Sequence, residues 1–111
     1  MANWSNAKKI EAGEIWTCFE GKKTRPVVIL KEELVSLELD FNIARITSQR
    51  PRNEFDVKIQ HWKEAGLDME SYVRCSKINT VHKLELKRKI GKLHEDDLNQ
   101  IKKMVSKYFS F

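Results

Sequence analysis

Chain breakers are scarce in this sequence, which holds two prolines, four glycines and two cysteines. That scarcity excludes collagen-like and low-complexity architectures. Cys18 and Cys75 are too few for a disulfide framework, so free thiols are expected. No stretch approaches the ~18 consecutive apolar residues of a membrane-spanning helix, and no membrane partner is expected. The opening residues, MANWSNAKK, lack the apolar run of a secretory signal, so a reducing cytoplasm is the expected setting.

Several chemical signatures are missing too. There is no Walker lysine loop and no Gly-x-Gly-x-x-Gly, so nucleotide cofactors have no footprint. His61, His82 and His94 pair with no cysteine at zinc-ligand spacing, and no metal is expected. Neither cysteine lies near a histidine in sequence, and both fall within expected strands, where a small buried apolar role suits them.

What is present is charge of both signs with a basic excess: 21 Lys and Arg against 16 Asp and Glu, a formal +5 over 111 residues. The excess is clustered. Residues 45–52 carry Arg45, Arg50 and Arg52 with no acid, and residues 83–92 carry Lys83, Lys87, Arg88, Lys89 and Lys92 against Glu85 alone. Each run fits either a solvated face or a surface that attracts a polyanion.

The hydrophobic pattern is mainly that of β-structure. Residues 1–12 show no clean period and read as an arm; 13–111 read as one domain. Glu14–Phe19 alternates as a strand, Glu20–Pro26 reads as a polar turn, and Val27–Leu30 as a buried strand. Residues 31–40 are ambiguous between a helical turn and a loop. Phe41–Ile46 suggests another strand, and Phe55–Gln60 alternates most clearly. His61–Ala65 reads as one helical turn closed by Gly66. Tyr72–Ile78 and Thr80–Leu86 suggest two short strands or one bent one. Leu98, Ile101, Val105 and Tyr108 then form a helical stripe over about 95–108, with Glu95–Asp97 in its first turn, a cap near His94, and a Leu93–Leu98 staple. Five or six short strands in an antiparallel sheet rolled into a small barrel, with a C-terminal helix against it, bury these faces most economically.

Polar residues at strand ends remain to carry chemistry: Arg25 before Pro26, Thr47 and Ser48 after an apolar strand, and Arg74 and Ser76 flanking Cys75. Four motifs hold them in order: Gly13-Glu-Ile-Trp16, Thr24-Arg-Pro-Val-Val-Ile-Leu30, Ile43-Ala-Arg-Ile-Thr-Ser-Gln49, and Val73-Arg-Cys-Ser-Lys-Ile-Asn-Thr-Val81. In that order and spacing, from about Gly13 through the C-terminal helix, the chain resembles the MazF/PemK toxins of bacterial type II toxin–antitoxin systems.

The resemblance implies a mainly β, homodimeric SH3-like barrel of five to seven antiparallel strands with a C-terminal helix, which cleaves single-stranded RNA, mRNA included, without metal or cofactor. The ribose 2′-OH attacks the adjacent phosphate, leaving a 2′,3′-cyclic phosphate and a 5′-OH end. The family's arginine before proline maps onto Arg25 and its threonine onto Thr47. An Arg-Cys-Asp stretch of some plasmid-borne members maps onto Arg74, Cys75 and Ser76. Serine here replaces an acid, and its hydroxyl is no base near neutral pH unaided; other members also lack that acid. Lys22, Lys23, Arg45, Ser48, Gln49, Arg50 and Arg52 are the expected RNA-binding residues. The short basic segment Glu20–Thr24 departs from the longer loop of many members. The implied partner is an acidic antitoxin segment lying over the basic groove, the complex binding DNA through the antitoxin. Two other readings share the barrel: a non-catalytic binder of the gyrase-poison kind, and a toxin relic that only sequesters antitoxin. Gyrase poisons lack the Arg-Pro plus Ile-Thr-Ser-Gln combination.

Overall fold

The computed structural model describes residues 10–33 and 40–110. Residues 1–9 of the expected arm and 34–39 of the ambiguous segment lie outside the described residues. The elements are β1 (Glu14–Glu20), β2 (Lys23–Glu33), β3 (Asp40–Thr47), β4 (Asp56–Lys58), β5 (Tyr72–His82), β6 (Leu86–Lys92) and helix α1 (Glu95–Tyr108). Among the described residues the strands make one sheet, ordered β4-β5-β3-β2-β1-β6, with every pairing antiparallel.

The apolar run of β2 is buried on both faces, as its lack of alternation demands. Val28 joins Ile15, Ala44, Ile46, Val73 and Ile101 in the core beneath α1. Val27 and Ile29 join Cys18, Phe41, Ile43 and Leu86 in a second cluster. Helix α1 docks through Ile101 and Asp97, both buried. Asp97 accepts hydrogen bonds from the backbone N–H of Gln60 (3.0 Å) and of His61 (2.9 Å), fixing the chain after β4 against the helix. His94 caps the helix, its Nδ1 accepting from Asp96 N–H at 3.0 Å, and Leu93 and Leu98 both join the core below it.

Three local expectations are corrected. The polar turn shrinks to Gly21-Lys22, because Glu20 pairs with Lys23 and Arg25 pairs with Cys18; Gly21 supplies the positive φ of 64°. Tyr72–His82 is a single strand, and after a 3-10 turn at Lys83–Glu85 the chain forms β6, which its basic run concealed. That strand is the sheet's edge, so lysines on it stay in water while its backbone pairs with β1. The alternating Phe55–Gln60 segment yields only the three-residue β4, where Asp56 is buried and its Oδ2 accepts from Arg52 N–H at 2.9 Å. The turn after β4 forms as expected, with Ala65 N–H donating to His61 O at 3.1 Å and Gly66 at φ +95°.

That turn brings the two sheet edges together. A Cβ at Gly91 of β6 would lie 2.0 Å from the carbonyl oxygen of Ala65, and one at Gly66 would lie 2.7 Å from that of Ile90. The barrel therefore closes by bare backbone meeting backbone. Gly91→Ala is expected to cost about 3 kcal/mol or more through that clash, while Gly21→Ala, with open space around it, costs only the strain of its φ. Urea denaturation of both variants checks the ranking.

Candidate active site

Proline has no N–H to give a sheet ladder, so a proline at a strand end terminates pairing on that side. Pro26 does this in β2. The β2–β3 ladder runs as far as Val27↔Arg45, and the same register carried two residues further sets Arg25 across from Thr47. Beyond Pro26 the strands part, and a cleft of about 640 Å³ opens, lined by both residues.

The cleft gathers residues from six segments. Arg25 comes from β2, Arg45 and Thr47 from β3, and Ser48, Gln49 and Arg52 from the loop after β3; Arg74 comes from β5 and Arg88 from β6. The sixth is the segment between the turn and β5, with Asp68 and Ser71. Thr47 Oγ1 accepts from Gln49 N–H at 3.1 Å, which fixes the hydroxyl and leaves its own proton free to donate. Five guanidiniums thus face a single carboxylate, Asp68.

Arg74 is the unusual member. It is only 5% exposed, and its Nε has no hydrogen-bond partner. A buried cationic donor left unsatisfied is costly, so the arrangement is one that an anion entering the cleft would relieve. The depth of Arg74 follows from strand irregularity. Ala44 pairs with Ile78 but Ile46 pairs with Val73, so β3 advances two residues while β5 advances five. In that interval β5 turns toward β4, with Arg74 opposite Asp56.

The same irregularity removes Ser76, which does not line the cleft. Arg74 lines the cleft and Ser76 does not; i,i+2 neighbours share a face only in a regular strand. Lys22 and Lys23, at the exposed β1–β2 hairpin, and Arg50 also stand outside the cleft lining. Arg88, Asp68 and Ser71 were not foreseen. Arg88 lay within a basic run that was noted, whereas no periodicity marks Asp68 or Ser71.

Groups away from the cleft have other occupations. Cys75 is fully buried, and burial, reinforced by the charge of Asp56, pushes its thiol up to about 12. His61 and His94, distant in sequence, stack with ring centroids 4.1 Å apart, and with Asp96 they bring ligand atoms within 4.8 Å of one another. His94 Nδ1 is engaged as the helix cap, and stacked rings aim their in-plane lone pairs side by side rather than at one point. No helix among the described residues is long and apolar enough to cross a membrane.

The fold is thus an antiparallel barrel with a C-terminal helix, whose strands splay into an arginine-lined cleft that also holds the Thr47 hydroxyl. The chain belongs to the PemK-like, MazF-like toxins of type II toxin–antitoxin systems, whose family model matches residues 11–109. Similar solved structures include an endoribonuclease in complex with its cognate antitoxin from a mycobacterial species. It is 19% identical with a TM-score of 0.78, and the match covers 93% of this chain and 99% of that one. The Mycobacterium tuberculosis toxin MazF-mt6 is 26% identical with a TM-score of 0.73, covering 86% and 95%. A MazE–MazF structure from Deinococcus radiodurans is 13% identical with a TM-score of 0.74, covering 92% and 96%. Comparison with curated protein sequences gives no match.

The Cys75 environment makes a prediction. The folded chain holds this thiol proton more tightly than the unfolded one, so the stability it confers is complete below the ordinary value of 9.0 and is lost as pH rises toward about 12. Urea melts across that window should fall more steeply for the parent than for Cys75→Ala. Alkylation followed by mass spectrometry should find Cys75 unmodified until the fold opens.

Proposed function

We propose that this protein is the toxin of a type II toxin–antitoxin pair and acts as an endoribonuclease on single-stranded RNA, mRNA included, without metal or cofactor. The observation that carries this reading is the buried Arg74 guanidinium, unpartnered at Nε, set in a five-arginine cleft with the Thr47 hydroxyl. A phosphodiester supplies the missing acceptor, and its charge grows as the 2′-oxygen attacks. In this reading Arg25 and Arg74 hold the non-bridging oxygens, and Thr47 donates a hydrogen bond to the scissile group. Arg45, Arg52 and Arg88 bind flanking phosphates, with Ser48 and Gln49 at the mouth. Lys22, Lys23 and Arg50 act from outside as sequence-independent attraction. Ser76 takes no part in the chemistry.

An endoribonuclease solved with its cognate antitoxin and a MazE–MazF pair support a partner of the same kind here: an acidic segment, disordered when free, that covers the cleft. We further propose that the working unit is a homodimer in the cytoplasm, and that its complex with antitoxin binds DNA through the antitoxin.

Purified protein incubated with a long RNA in excess EDTA should give discrete cuts bearing 5′-OH ends. Intact RNA would instead favour a non-catalytic binder on the same barrel. Arg25→Ala should slow cleavage by roughly 10²–10³, the usual cost of losing one donor to a developing charge, and Thr47→Val should do likewise. Lys22→Ala should weaken binding modestly and in a salt-dependent way. Ser76→Ala should leave the rate unchanged. Circular dichroism on each variant separates these effects from unfolding.

A further inference from the structure

Cleavage by a 2′-hydroxyl needs a group to take its proton, and the residue that aligns with the acid of some relatives is a serine standing outside the cleft. The cleft itself offers little else. Its five arginines are permanently protonated donors. The hydroxyls of Thr47, Ser48 and Ser71 are not bases near neutral pH. The histidines are elsewhere: His61 and His94 stack on each other, and His82 Nδ1 accepts from Leu84 N–H at 3.1 Å. Among the described residues lining the cleft, one proton acceptor remains. We infer that Asp68 is the general base that takes the 2′-OH proton, an inference that rests on the endoribonuclease reading.

The segment bearing Asp68 is held in place from both ends. Leu67 N–H donates to Trp62 O at 3.1 Å, and Gly66 takes φ +95°. Ser71, itself buried, donates through Oγ to Met69 O at 2.9 Å. Lys58 Nζ lies 2.7 Å from Glu70 Oε1, and the hydrogen bond to Glu70, then its charge, raises the lysine's pKa. Asp68 is exposed and is engaged by no hydrogen bond or ion pair among the described residues. Its negative charge opposes a phosphate in the ground state. Once it accepts the proton it is neutral, and the repulsion vanishes as charge builds on phosphorus, which favours the transition state selectively. The step balances as follows: the O2′ proton passes to an Asp68 Oδ, the O2′–P bond forms, and the P–O5′ bond breaks. O5′ takes a proton from water, and the resulting hydroxide restores the Asp68 carboxylate.

The test compares parent, Asp68→Asn and Asp68→Glu on an RNA with one cut site. Binding is measured separately on the same RNA with a 2′-deoxyribose at that site. Asp68→Asn should lower kcat by roughly 10²–10⁴, with Kd for the blocked RNA unchanged or tighter, and Asp68→Glu should retain part of the rate. Equal kcat for parent and Asp68→Asn overturns the inference while leaving the endoribonuclease reading intact. Weaker binding at unchanged kcat overturns it too, making Asp68 a contact that reads RNA. A parent that cuts no RNA overturns both.

Discussion

The approach of Gly91 to the Ala65 carbonyl is the constraint on which most of the molecule turns. A sheet with β4 at one margin and β6 at the other has two ladders left open. Here the chain leaving β4 folds over and presses its backbone on β6 instead of pairing with it. A side chain at either glycine would hold the margins apart. With the margins together, Arg88 and Ile90 of β6 line the same cleft as Gly66, Leu67 and Asp68. Asp97 secures the arrangement from the helix side, taking the N–H groups of Gln60 and His61 that the tight turn leaves without strand partners. The closure is thus cooperative: helix, turn and edge strand are each in place because the other two are.

Within that frame, two departures from regular β-structure shape the cleft. Pro26 ends one ladder and lets Arg25 and Thr47 stand apart across an opening. The unequal advance of β3 and β5 sinks Arg74 toward Asp56 and turns Ser76 away. Both carry a thermodynamic cost. A guanidinium that is 5% exposed with an unpartnered Nε destabilises the empty protein by the desolvation of one donor, about 1–3 kcal/mol or more for a charged group. Such strain is characteristic of sites organised for a ligand rather than for the resting fold.

Much of this was legible because period-two alternation and short-range turn chemistry dominate where the strands are regular. Val27–Leu30 reads as doubly buried, and the helical stripe with its acidic first turn reads correctly from Leu98 to Tyr108. Arg25 and Thr47 were found because each sits beside a recognisable strand end. Reading failed where tertiary structure overrides local pattern. The sequence Leu-Lys-Arg-Lys-Ile-Gly-Lys looks like a solvated run because an edge strand shows lysines to water while bonding through its backbone. Phe55–Gln60 alternates well, yet the buried Asp56 shortens the strand. Ser76 stands outside the cleft that Arg74 lines, because β5 does not keep the register that i,i+2 pairing assumes, and the meeting of His61 with His94 has no local signal at all.

Lys87, Arg88, Lys89 and Lys92 of β6 are all exposed. An unpaired strand edge is a template on which other chains can build, and β4, the opposite edge, is only three residues long. Cations spaced along β6 repel another strand of the same kind, and inserting one between them would bury unpaired charge. The basic run therefore guards the sheet against edge-to-edge pairing with its own copies. A substitution that neutralised those lysines to weaken nucleic-acid attraction would leave the barrel prone to ordered aggregation.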